Sequence, residues 1–266
     1  SCALQCCGVC LVCHRRRMQQ VASAKLRMHA FELQPSNERL LRQLVSLSGA
    51  PAEVHGTAVS NVSTGVVWTH DNAKPGYESV SAQKELRGRG KTAIARNVTT
   101  VDAFLAARSI ERAHFVSIDT EGWDALVIEG MHRTLADRRV AILEFEYSGR
   151  GYWSPDHKEA RNLEDTLVWL GGAGCRCYWQ GRLADLIPAS PPCWRASFEI
   201  RRWSNLVCAH EPAVLARLLA RYTALQRTEV SREKAGFCRP DPEGCARNVA
   251  MGRRTWGPWM PDSNAS

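Results

Sequence analysis

From about residue 27 onward, apolar residues alternate between two rhythms along the chain. Arg27-Met28-His29-Ala30-Phe31 is a short apolar run that predicts a strand. Pro35-Ser36 then opens a predicted helix, in which Leu40, Leu41, Leu44, Val45 and Leu47 recur at intervals of three and four. Residues 54–59 and 66–69 predict short strands around a turn at Ser63-Thr64-Gly65. The rhythm resumes with a predicted helix over 99–112 whose inward residues are Val101, Phe104, Leu105 and Ile110. A strand over 114–119 follows, then one helix over 123–136 carrying Leu126, Val127, Met131 and Leu135, then a strand over 139–146. A helix over 160–170 is closed by Gly171-Gly172, and residues 174–179 and 197–207 predict strands that complete an antiparallel edge. Alternating strands and helices with short joins predict an α/β protein with a parallel sheet covered by helices on both faces. Ligands of such sheets bind beyond the carboxyl ends of the strands.

Composition changes this picture little. The chain has 266 residues, enough for one large domain or a domain with a tail, and 44% of them are hydrophobic, as in globular proteins. No run approaches the roughly 18 apolar residues of a membrane span. The net charge of +8 is spread along the chain, and the small arginine runs at 15–17, 138–139, 201–202 and 253–254 are not interleaved with aromatics. No nucleic-acid partner is therefore expected. Residues 214–225 predict an amphipathic helix, and 229–266 a polar, irregular tail.

Eleven cysteines are present, five of them within the first thirteen residues. That segment precedes Arg15–Arg17, the reverse of the order in a secretory signal. Cys10-Leu11-Val12-Cys13-His14 fits the C-x-x-C-H pattern of haem attachment, a pattern short enough to arise by chance in a Cys-rich stretch. Cys175, Cys177, Cys193 and Cys208 lack two C-x-x-C pairs, so buried thiols are expected there and no metal site. Gly88-Arg89-Gly90-Lys91-Thr92 looks like half a P-loop, but Glu85 stands where its first glycine belongs. The polar stretch 71–92 is a candidate lid around Gly76-Tyr77-Glu78-Ser79.

The acids at strand ends are the candidate site. Glu32 follows the first strand, Asp119 and Glu121 follow the strand from 114, and Glu144 and Glu146 alternate at the end of the strand from 139. A carboxylate closing the second strand of a nucleotide-type fold has two oxygens at the spacing of a ribose diol. The competing reading of any one such acid is a helix cap or a surface charge.

These residues carry a resemblance. The run from Phe115 to Met131, with Asp119-Thr120-Glu121-Gly122, then Asp124 and a helix ending near Gly130, resembles the signature of the FkbM family of S-adenosylmethionine-dependent methyltransferases. His29-Ala30-Phe31-Glu32, His55-Gly56-Thr57-Ala58-Val59-Ser60-Asn61, Val98-Thr99-Thr100-Val101-Asp102 and Ile142-Leu143-Glu144-Phe145-Glu146 are similar to its other blocks in order. The resemblance spans roughly residues 27–147 and implies a Rossmann-like class I sheet, parallel with an antiparallel edge. It implies S-adenosylmethionine as cofactor, bound by Glu32, Ser60, Asn61 and Asp119, with Asp119 and Glu121 as catalytic carboxylates. The implied reaction is O-methylation of a small-molecule or carbohydrate hydroxyl. The family's acidic Gly-rich loop should precede Glu32 by some twenty residues, and only Gly8 lies there. The expected organisation is a non-homologous or truncated segment 1–26, a methyltransferase domain 27–210 and a helix with tail 211–266. The alternative is a binding or scaffold domain that keeps the fold without the cofactor loop.

Overall fold

The computed structural model describes residues 2–6, 27–70, 92–181, 186–199, 201–211 and 213–220. The C-x-x-C-H pattern, the lid candidate, most of the half P-loop and the tail lie outside these residues. In chain order the elements begin with β1 (Cys2–Cys6), β2 (Arg27–Phe31), α1 (Pro35–Ser48), β3 (Ala52–His55), β4 (Ala58–Val59) and β5 (Val66–Thr69). There follow β6 (Ile94–Thr99), α2 (Val101–Ala107), β7 (Ala113–Ile118), α3 (Asp124–Glu129), α4 (His132–Ala136) and β8 (Val140–Tyr147). The chain continues with α5 (Leu163–Gly172), β9 (Arg176–Gln180), β10 (Leu186–Pro188) and β11 (Ser204–Ala209), with helical residues again at 213–220.

Eight strands form one sheet in the order β10-β9-β11-β8-β7-β1-β2-β3. From β3 to β8 every pairing is parallel, whereas β11 runs antiparallel to both β8 and β9, and β10 antiparallel to β9. Strand β1 lies between β2 and β7, so the strand order reverses there. The mixed α/β class expected from the alternation is what the chain forms. A second, three-stranded sheet, β4-β6-β5, stands apart from the first.

The core follows from the apolar runs. Val116 and Ile118 of β7, Leu143 and Phe145 of β8, Val127 and Ile128 of α3, and Leu105 of α2 are all buried. Each such side chain contributes about 1.5–3 kcal/mol when fully removed from water. Pro35 begins α1, where a missing N–H costs nothing, and Gly49 ends it in the left-handed region at φ 62°. Only Leu41 of the five expected inward residues of α1 is buried, in a cluster with Met28, Ala30, Ala50 and Val54, while Leu44 and Val45 pack partly against it. Leu40 and Leu47 are exposed. At about 100° per residue the five positions span roughly 160° of arc, more than a single sheet face covers.

Two predicted elements are broken by contacts distant in sequence. The strand expected over 54–59 divides at Gly56-Thr57, and its halves join different sheets. Arg96 of β6 holds that bend by donating from Nη1 to the Gly56 carbonyl, from Nε to the Leu33 carbonyl and from Nη2 to Glu38 Oε2. The helix expected over 123–136 breaks at Gly130-Met131 into α3 and α4. Asp102 caps α4 from outside, accepting from the Arg133 and Thr134 backbone N–H groups at 2.8 Å each.

The antiparallel edge corrects the expectation of buried thiols. Cys177 on β9 and Cys208 on β11 stand opposite each other in register and form a disulfide. Cys175 remains a buried thiol and Cys193 an exposed one. Among the described residues no helix is long and apolar enough to cross a membrane.

Candidate active site

The parallel register sets the rim where the candidate acids lie. Cys6 of β1 pairs with Phe31 of β2 on one side and Ile118 of β7 on the other. Glu32 and Asp119 each follow by one residue, so they stand level on the rim, two strand spacings or about 9.5 Å apart. This is the carboxyl-end rim, at the point where the strand order reverses. Glu32 is buried, its N–H donates to the His55 carbonyl, and its Oε1 accepts from the Gln34 N–H at 2.8 Å.

The loop after β7 is held in an unusual backbone shape. Glu121 has φ 55° and Gly122 φ 95°, both left-handed. Glycine is required at 122, because a Cβ there would lie 2.3 Å from the Arg150 carbonyl oxygen. The Gly122 carbonyl accepts from the Tyr152 N–H at 2.8 Å, and Arg150 Nη1 pairs with Glu121 Oε2 at 2.6 Å. Glu121 is thereby paired with a neighbouring guanidinium.

Asp124 organises the loop from below. It is fully buried, and its Oδ2 accepts from Thr120 Oγ1 at 3.0 Å and from the Gly122 N–H at 3.2 Å. Its Oδ1 accepts from the Glu146 N–H at 3.2 Å, tying the loop to β8. Burial outweighs these hydrogen bonds and lifts its pKa to about 6.

Glu146 completes the group. It is the penultimate residue of β8, buried, and its Oε2 accepts from Trp203 Nε1. Burial, reinforced by the nearby charges of Asp119, Asp124 and Glu121, raises its pKa to about 8, against the lowering effect of the Trp203 hydrogen bond. Because Ile118 pairs with Phe145, Asp119 and Glu146 end adjacent strands side by side. The cluster thus holds a carboxyl that keeps its proton to neutral pH beside a second carboxyl on the next strand.

Ser60 and Asn61 follow β4, and their contacts run to the end of α3. Asn61 Nδ2 donates to Glu129 Oε2 at 2.9 Å, and the Ser60 N–H donates to the Thr99 carbonyl at 2.9 Å. The Ser60 carbonyl lies so close to Gly130 that a Cβ there would fall 2.1 Å from it. The structure therefore brings Asp119 and Glu121 into one loop, sets Glu32 level with Asp119, and joins Ser60 and Asn61 to the helix following that loop. The sequence reading named the acid at 124 as part of the signature without a role. It named Glu146 as a strand-end acid without seeing its partner Trp203, and it missed Arg150.

No curated protein matches the chain. The family model for the methyltransferase FkbM domain matches residues 12–167, more than half of the 266 residues, and within that span fall β2, the loop after β7 and the end of β8. The chain belongs to the FkbM methyltransferase family.

Proposed function

We propose that this chain is an S-adenosylmethionine-dependent O-methyltransferase acting on a hydroxyl of a small molecule or sugar. One observation carries the reading: Glu32 and Asp119 stand level on the carboxyl-end rim, on either side of the strand-order reversal, at a spacing suited to one nucleoside-sized ligand. The run of five parallel strands with an antiparallel neighbour supports a Rossmann-like class I arrangement. When bound, S-adenosylmethionine supplies a methyl group already activated by its sulfonium charge.

The remaining work falls to this chain's own residues. Glu32 offers two oxygens to the ribose hydroxyls, and the turn at Ser60-Asn61 borders the adenine end. Asp119 accepts the proton of the acceptor hydroxyl at a carboxylate oxygen, a role worth about 10² to 10⁴ in rate. Glu121, paired with Arg150, orients the loop and is the second carboxylate available as base. Glu146 already carries a proton near neutral pH and so does not compete for it. Aligning acceptor and methyl group in line is a positioning effect of several kcal/mol.

The alternative is a methyltransferase-like scaffold, favoured by the residues just after β1, Cys7-Gly8-Val9-Cys10, which lack an acid and a second glycine. Calorimetric titration of the full chain with S-adenosylmethionine separates the two. Binding that Glu32→Ala abolishes supports the enzyme, while absence of binding supports the scaffold. If binding holds, Asp119→Asn lowers transfer to an alcohol acceptor by about 10² to 10⁴.

A further inference from the structure

We propose that His29 of β2 and Glu53 and His55 of β3 form a site for one divalent transition metal of the zinc class. The donors come from two adjacent parallel strands, in which His29 pairs with Glu53 and Phe31 with His55. His29 and Glu53 therefore face each other, and His55 lies two residues further along β3 on the same side of the sheet. The donor atoms of all three lie within 4.8 Å of one another.

The distances suit a small tetrahedral ion. His29 Nδ1 and His55 Nε2 are 3.2 Å apart. Two nitrogens bound to zinc at 2.0–2.1 Å at the tetrahedral angle are separated by about 3.3 Å. Glu53 Oε2 lies 3.9 Å from His29 Nδ1, so a small rotation of an exposed side chain completes three ligands. Two imidazoles and one carboxylate are a donor set zinc takes, with the fourth position open to water. A cavity of about 510 Å³, lined by His29, Glu53, Arg108 and His114 among others, provides that opening.

The surroundings prepare the nitrogens for metal. Both rings are packed by aromatic neighbours: His29 stacks on His55 with centroids 5.4 Å apart, and Phe104 meets each ring edge-on at 5.1 Å. Burial lowers the pKa of His29 and takes that of His55 to about 4, where repulsion from His29 adds to the lowering. Neutral imidazole is the form that binds metal, so no proton competes at neutral pH. Arg27 and Arg108 disfavour positive charge here, a repulsion that acts on a bound cation as well as on a proton and that the Glu53 carboxylate opposes. Arg108 is paired with Glu53 at 2.6 Å, but both side chains are substantially exposed and such a pair is weakly held. An ion at this place clamps β2 to β3 three residues before Glu32, independently of methyl transfer.

The test uses the full chain, stripped with EDTA and with free thiols blocked by iodoacetamide. Zinc is titrated by calorimetry and cobalt by visible absorption. The expected result is one ion per chain and a cobalt spectrum without sulfur charge-transfer bands. Binding should weaken on the order of a hundredfold or more in His55→Ala, given that even outer partners of metal ligands cost 10- to 100-fold. Glu53→Gln, at an exposed position, reports the same loss without threatening the fold. Zinc should also raise the melting temperature of the wild type and not that of either variant. Absence of binding, or binding that persists unchanged in both variants, overturns the site.

Discussion

The acid cluster after β7 and β8 and the histidine pair on β2 and β3 both place ionisable groups out of water, and the same force drives them in opposite directions. Burial raises Asp124 to about 6 and Glu146 to about 8, whereas it lowers His55 to about 4. Each region thereby favours its neutral form, because a charge without water costs more than a dipole. The chemical consequences differ. A neutral carboxyl has a proton to give, and a neutral imidazole has a lone pair to give. The difference between a proton-handling rim and a metal-ready pair is thus set by residue type, with burial common to both.

The contrast can be broken most sharply at Asp124. Asp124→Ala leaves the Gly122 and Glu146 N–H groups and the Thr120 hydroxyl unpartnered, so a stability loss of about 3 kcal/mol or more is expected by denaturant unfolding at pH 7. A loss no larger than that of an exposed substitution would show that Asp124 does not organise the loop. Next is Glu146→Gln. The wild-type group binds its proton more tightly folded than unfolded, so its contribution is fully present below about pH 4.5 and is lost as pH rises through about 8. The variant should flatten the stability profile across that window, with a gain on the order of a few kcal/mol relative to wild type at its upper end.

His55→Gln probes the other region with the opposite sign. The unfolded ring takes up a proton near pH 6.5 and the folded ring only near 4, so wild-type stability falls as pH drops between those values. The variant should lose part of that acid sensitivity and show no change above pH 7. An acid limb identical to the wild type would remove His55 from the comparison. The smallest effect is expected of Trp203→Phe, which deletes the one hydrogen bond lowering Glu146 and so moves its titration further upward, read by infrared absorption of the protonated carboxyl.

What could be read along the chain was what local pattern determines. β2 and β5 fall where the apolar runs placed them and α1 starts at Pro35, whereas Thr100 and Asn162, which cap α2 and α5, lie inside the spans 99–112 and 160–170 expected to be helical. The breaks at Gly56 and Gly130 were not legible, because they answer to Arg96 and to the Ser60 carbonyl, partners remote in sequence. The Cys177–Cys208 bond depends on the register of two strands that meet only in the sheet. In the same way, the strand-end position of Glu146 was visible, but its retained proton results from burial and from the convergence of acids from the loop after β7 and from α3, which together outweigh the hydrogen bond from the indole preceding β11. The histidines escaped notice because a donor set divided between two strands has no spacing to recognise.

The bare α-carbon of Gly130 couples parts of the molecule that no shared strand connects. Since the Ser60 carbonyl rests where any other residue would put a methyl group, the small sheet and the helix after the acidic loop mesh like the plates of a clutch. A displacement of the turn at Ser60-Asn61 of even about an ångström would be passed on to Glu129 and, through it, to Arg161 at 2.6 Å. Any shift of that turn would be sensed at the C-terminal end of α3, and an alanine at 130 would disengage the two.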